Sequence, residues 1–176
     1  MVRRSVSGLI TVDFFTSGYR ISGHLATRSK SVADMLNDRL TSFLDLENVY
    51  ISRINNPGDI VAAYNQAQLR KDNLVFAIVP VRESLSRMTR SVSYFGRQRH
   101  PVWLAMPSFE IEGDLQATGV TSFDPESYLA KSTGEYLSVV KGVARATIWP
   151  QVTYSGEAFL VNRDLIDLFC IGDTPE

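Results

Sequence analysis

The seven residues YRISGHL (19–25) are answered ninety residues later by FEIEGDL (109–115). Tyr19, Ile21, Gly23 and Leu25 alternate with polar residues, and Phe109, Ile111, Gly113 and Leu115 repeat the alternation. A period of two is the mark of a half-buried strand. A glycine kept in mid-strand marks a bend, a bulge or a close backbone approach. Further matches follow in the same order. RSVS stands at 4–7 and at 90–93. Eleven residues past each glycine an aspartate, Asp34 or Asp124, opens a short helical stretch. Ser31 caps the first, with Val32, Met35 and Leu36 as its apolar stripe; Asp124 caps the second, with Pro125 at the first helical position. The β-like run FLDLENVYISRI (43–54) answers YLSVVKGVARATI (136–148), and LRKDNLVFAIVP (69–80) answers LVNRDLIDLFCIG (160–172). The chain therefore reads as one pattern of about 90 residues written twice. The first unit is 1–84, the second 85–176, and the join lies within 81–100. Frequent Val, Ile, Thr, Tyr and Phe, with turn residues between short runs, predict a mainly β chain with short helices.

Several function classes lack their sequence signature. No run of about 18 apolar residues is present to span a membrane, and MVRRSVSGLI has neither the apolar run nor the cleavage site of a secretory signal. The single cysteine, Cys170, sits in the apolar run LIDLFCI and is expected as a buried thiol; a cytoplasmic location fits. There is no nucleophile elbow, P-loop, dinucleotide-binding glycine pattern, paired cysteine or H-x-x-x-H. No catalysis, no metal and no cofactor is expected. His24 and His100 are the only histidines, and neither has the context of a general base. The trio Glu110, Glu112 and Asp114 reads as a solvated or partner-facing strand face before it reads as a cation site. Trp103 and Trp149 fall in apolar β-like runs and are expected in packing.

The first unit resembles the Sm-like small β-barrel family. Gly23, Asp34 and Asn37 are similar to that family's first motif, a strand glycine followed by an acidic and an amide residue in a loop. LRKDNLVFAI is similar to its second, with Leu69, Arg70, Asn73 and Leu74 matching and Lys71 in place of the motif glycine. The resemblance implies two tandem Sm-like or SH3-like small barrels of five strands, and two such units in one chain could share their edges in one continuous sheet. It also implies oligomeric rings, and RNA held in loop pockets by Asp34, Asn37, Arg70 and Asn73. The chain departs from the family in three ways. The Gly23–Asp34 interval is longer, the helical stretches fall within the units, and Val161 and Asn162 stand where the second unit would need Arg and Gly.

The net charge of −1 conceals three blocks. Residues 1–80 carry nine Lys/Arg and seven Asp/Glu, residues 81–100 five arginines and one glutamate, and residues 101–176 four Lys/Arg and eleven Asp/Glu. Arg90, Arg97 and Arg99, with Arg3, Arg4, Arg82 and Arg87, would form a positive stripe beside Tyr94 and Phe95, the chemistry of single-stranded RNA binding. The acidic second unit opposes it. On the repeated strand Arg20 and His24 stand where Glu110, Glu112 and Asp114 stand in the second copy. Faces of opposite sign on equivalent surfaces predict a homo-oligomer assembled head to tail. Two readings follow: a non-catalytic assembly or scaffold module, and an Sm-like RNA-binding protein.

Overall fold

A computed structural model describes residues 8–86, 97–118, 124–131 and 136–172. The described residues form ten strands: β1 (Leu9–Phe15), β2 (Tyr19–Ala26), β3 (Phe43–Arg53), β4 (Asn56–Arg70), β5 (Phe76–Val79), β6 (Arg97–Met106), β7 (Phe109–Thr118), β8 (Tyr136–Ala146), β9 (Thr153–Asn162) and β10 (Leu168–Ile171). Helix α1 (Val32–Leu36) joins β2 to β3, and helix α2 (Pro125–Lys131) lies between β7 and β8. No helix among the described residues is long and apolar enough to cross a membrane.

Local chemistry explains the connections. Thr16 Oγ1 accepts the backbone N–H groups of Gly18 and Tyr19 and so tightens the β1–β2 turn. Ser108, with φ +66°, closes the two-residue turn between β6 and β7. Ser31 and Asp34 form a reciprocal capping box at α1, at 3.1 and 3.0 Å, which satisfies two of the amides that a helix start leaves without partners. Val32, Ala33 and Leu36 are the buried side of this single turn, and Met35 is only partly covered.

Both halves run in the same order. In the first, the sheet order is β5-β1-β2-β3-β4; in the second, β10-β6-β7-β8-β9. The bulge also recurs. The β2–β3 register shifts between Ser22 and His24, around Gly23, and the β7–β8 register between Glu112 and Asp114, around Gly113. The opposite strand answers each with a left-handed residue, Asn48 (φ 49°) and Lys141 (φ 53°). One unpaired extra residue bends a strand and increases its twist. The two glycines thus mark the same bend in both halves.

The halves are joined by β5 and β9, which pair antiparallel, so the ten strands make one sheet. That sheet is open. The closed barrels expected from the sequence are not formed by the ladders, because β5 has both edges occupied, by β1 and β9, and cannot close on β4. The edges of β9 are likewise taken by β8 and β5, so β10 cannot close on it.

Two cores result, one on each face of the sheet where β5 meets β9. The first gathers Phe14, Leu25, Leu36, Leu46 and Leu74 with Tyr136, Ala158 and Leu160 of the second half. The second gathers Leu104, Phe109, Ile111 and Phe159 with Phe15, Ile54 and Phe76 of the first half. Trp149 packs on the second core, and Trp103 is half-buried.

Candidate assembly interface

The β5–β9 seam shows what an interface between two such units requires. Phe76 lies opposite Val161, Ala77 opposite Leu160, Ile78 opposite Phe159 and Val79 opposite Ala158. Side chains alternate along each strand, so Phe76, Ile78, Phe159 and Val161 face the second core while Ala77, Val79, Ala158 and Leu160 face the first. A strand covered on both faces reads as a continuous apolar run, here FAIV and AFLV. The Phe76 ring stacks on Phe15 at 4.3 Å and on Phe159 at 5.2 Å, and meets Phe109 edge-on at 5.0 Å. Gly142 leaves the space that the Phe159 ring occupies, and Gly156 leaves the space beneath Ile78.

Polar groups fasten the rim of the seam. Tyr136 donates its backbone N–H to Asn37 Oδ1 (2.9 Å) and its hydroxyl to the Lys71 carbonyl (2.8 Å). Asn162 donates its side-chain amide to the Leu74 carbonyl (2.9 Å) and its backbone N–H to the Val75 carbonyl (3.0 Å). The Val81 N–H donates to the Glu157 carboxylate (3.0 Å). The Tyr154 hydroxyl donates to the Ile54 carbonyl (2.9 Å), and the Arg20 guanidinium lies 5.9 Å over the Tyr154 ring. Burial pushes the Tyr154 pKa up, and Arg20 partly opposes that shift.

The residues singled out in the sequence fall in different places. Asp34 belongs to the α1 capping box, and Asn37 holds Tyr136 across the seam. Arg70, at the end of β4, is exposed and 3.5 Å from Asp72; Asn73 is exposed three residues past Arg70. Lys71, buried between them, donates its amine to the carbonyls of Met35 (2.6 Å) and Asp38 (2.9 Å) and to Thr41 Oγ1 (2.7 Å), closing the end of α1. Arg163 occupies the same place in the second half and donates to the Leu129 carbonyl of α2 (3.4 Å). Arg99 is exposed on β6, whereas Arg90 and the side chain of Arg97 lie outside the described residues.

Arg20, His24, Glu110, Glu112 and Asp114 lie on β2 and β7, which are inner strands rather than sheet edges. Their ion pairs are made within each half: Arg20 with Asp13 at 2.9 Å, and Glu110 with Arg145 at 3.8 Å. Thr11 Oγ1 lies 3.2 Å from His24 Nδ1. Among the described residues no group of three His, Cys, Asp or Glu side chains is placed to hold a metal ion.

The two edges of the sheet are β4 and β10, each with one ladder partner among the described residues. β10 is the run LFCI, as apolar as FAIV, yet it is largely exposed. Cys170, expected in the core, is exposed for this reason: its strand is a sheet edge with a single ladder partner among the described residues. The contrast with matching seam residues is large. Phe76 is 0% exposed and Leu168, at the same place in the second half, 53%. Ile54, in the turn after β3, is 4% exposed, and Ile148, in the turn after β8, 73%. At the other end β4 leaves Ile60, Val61 and Tyr64 exposed, and beside it Phe43 is exposed where Tyr136 is buried. A groove of about 1120 Å³ lies at this end, lined by Met35, Thr41, Phe43, Gln66, Ala67 and Gln68 among others.

The two units share their edges in one continuous sheet, as expected from two tandem units; which strands make the seam was not read from sequence. Its signal was present in FAIV, AFLV and LFCI, three short runs that do not alternate. Comparison with protein-family models, with curated proteins and with solved structures finds no match to this chain.

Proposed function

We propose that this protein is a non-catalytic assembly module. Two bent five-strand units of the Sm-like small-barrel kind stand in tandem and build a head-to-tail homo-oligomer. One observation carries the reading: β10 has the two-sided apolar composition of a seam strand and lies uncovered at a sheet edge. Apolar strand edges left open are templates for pairing, and proteins ordinarily blunt them with charge, proline or cover. Nothing of the kind stands within LFCI. The opposite edge, β4, is a different surface, so the contact is heterologous and propagates as a ring or a filament.

Sedimentation velocity over a wide concentration range tests this. Species larger than one chain are expected, growing with concentration or stopping at one closed size. A single-chain species throughout, at low salt as well, overturns the proposal. No particular observation favours the RNA reading, since Asp34 and Asn37 are engaged in folding contacts. A preparation made without nuclease that carries excess absorbance near 260 nm would reverse that preference.

A further inference from the structure

The chain contains its own template for the contact between copies. β5 and β10 each begin three residues past a 3₁₀ turn, Lys71–Asn73 or Arg163–Leu165. β4 and β9 each end directly before that turn, at Arg70 or Asn162. Phe76–Val79 therefore corresponds to Leu168–Ile171, and Ala158–Val161 corresponds to Gln66–Leu69. Resting on the assembly reading above, we infer that β10 of one copy adds antiparallel to β4 of a second copy in the register of the seam. Leu168 then lies opposite Leu69, Phe169 opposite Gln68, Cys170 opposite Ala67 and Ile171 opposite Gln66.

Three observations support this register rather than a neighbouring one. The first is the facing of β10. Phe169 packs on the second core of its own chain. Leu168 and Cys170, on the opposite face, are turned as Phe76 and Ile78 are turned in β5, toward the unit they would join. A shift by one residue would exchange these faces.

The second is volume. In the seam the large Ile78 sits over Gly156, and the large Phe159 fills space left by Gly142. At the corresponding places on the open edge, the small Cys170 would meet Tyr64, and the small Ala67 packs on the core that holds Val49. In each pair a smaller residue stands where the seam has its larger one, and a larger residue stands where the seam has glycine.

The third is charge. Asn162 holds the carbonyls of Leu74 and Val75 in the seam. Arg70 and Asp167 take the places of Asn162 and Val75 on the open edges, a cation meeting an anion. Among the described residues Arg70 pairs with the exposed Asp72 at 3.5 Å.

The register can be read by disulfide trapping, because Cys170 is the chain's only cysteine. Directly opposed residues in an antiparallel pair have Cα atoms about 4.5–5.5 Å apart, within disulfide reach. Ala67→Cys is paired with Gln66→Cys and Gln68→Cys, all on the exposed edge, under mild oxidation. The expected result is a ladder of linked multimers from Ala67→Cys, at least ten times faster than from either neighbour, with wild type giving linked dimers at most. Faster linkage through Gln66→Cys or Gln68→Cys overturns this register and leaves the assembly reading standing. Multimers by sedimentation with no ladder from any variant overturn β4–β10 pairing, again with assembly standing. Single chains from wild type and all three variants overturn both.

Discussion

The β5–β9 seam and the two edges of the sheet are made from corresponding strands, yet the seam is buried between two cores and the edges are largely exposed. The difference lies in what covers them. In the seam every residue of FAIV touches a core, because each unit supplies the face that the other lacks. At the ends LFCI keeps an apolar composition without a second unit. β4 has moved the other way: Gln66 and Gln68 stand where Ala158 and Leu160 stand in β9. A contact made by β4 and β10 would thus resemble the seam in geometry and bury less apolar surface. It would be weaker and reversible, suited to assembly rather than to holding one chain folded.

The largest test of this contrast replaces Phe76 and its counterpart Leu168 separately by alanine. Phe76→Ala removes a fully buried ring from an aromatic stack and should lower unfolding stability by about 3–5 kcal/mol. Leu168→Ala, at an exposed site, should lower single-chain stability by less than about 0.5 kcal/mol while weakening association. Urea unfolding of both at a concentration where wild type is dissociated makes the comparison. Equal losses would show that β10 is already covered within one chain.

The two mid-strand glycines offer a smaller contrast. A Cβ on Gly113 would meet Val139 Cγ1 at 2.7 Å and the Val140 carbonyl oxygen at 2.9 Å. On Gly23 it would meet nothing closer than Val49 Cγ2 at 3.4 Å. The backbone carbonyl cannot rotate away, so Gly113→Ala should cost about 1–3 kcal/mol by overpacking. Gly23→Ala should fall within about 0.5 kcal/mol of wild type, in thermal or urea unfolding. A costly Gly23→Ala would mean that the two bends are equally tight.

The repeated strand was legible because β2 and β7 each face one core, and a strand with one buried face leaves a period of two in its sequence. The seam was harder. FAIV and AFLV are covered on both faces and carry no period, and their pairing joins residues about eighty apart, which no local pattern records. Asp34 was open to two readings. S-x-x-D before an apolar turn is also a capping signature, and the structure uses Asp34 as a cap. Lys71 was visible only as a departure from a glycine; that its amine closes the end of α1 depends on a contact 36 residues away. The partners of Arg20 and Glu110 were not legible. Formal sign along a strand does not show that Asp13 and Arg145 stand beside them.

The last contrast lies at the seam's rim. Tyr154→Phe removes the hydrogen bond to the Ile54 carbonyl and keeps the ring under Arg20; the expected loss is about 1 kcal/mol. Burial raises the Tyr154 pKa above the ordinary tyrosine value. The unfolded chain therefore loses this proton first. The contribution is whole below pH about 10 and declines as pH rises through the folded-state pKa. Tyr128, also raised by burial, gives the chain a second loss of the same sign. Unfolding stability measured between about pH 9 and 11 should thus fall in both proteins, and less steeply in Tyr154→Phe. Parallel curves would mean that Tyr154 titrates alike folded and unfolded, and that this corner of the seam is open to water as the free edges are.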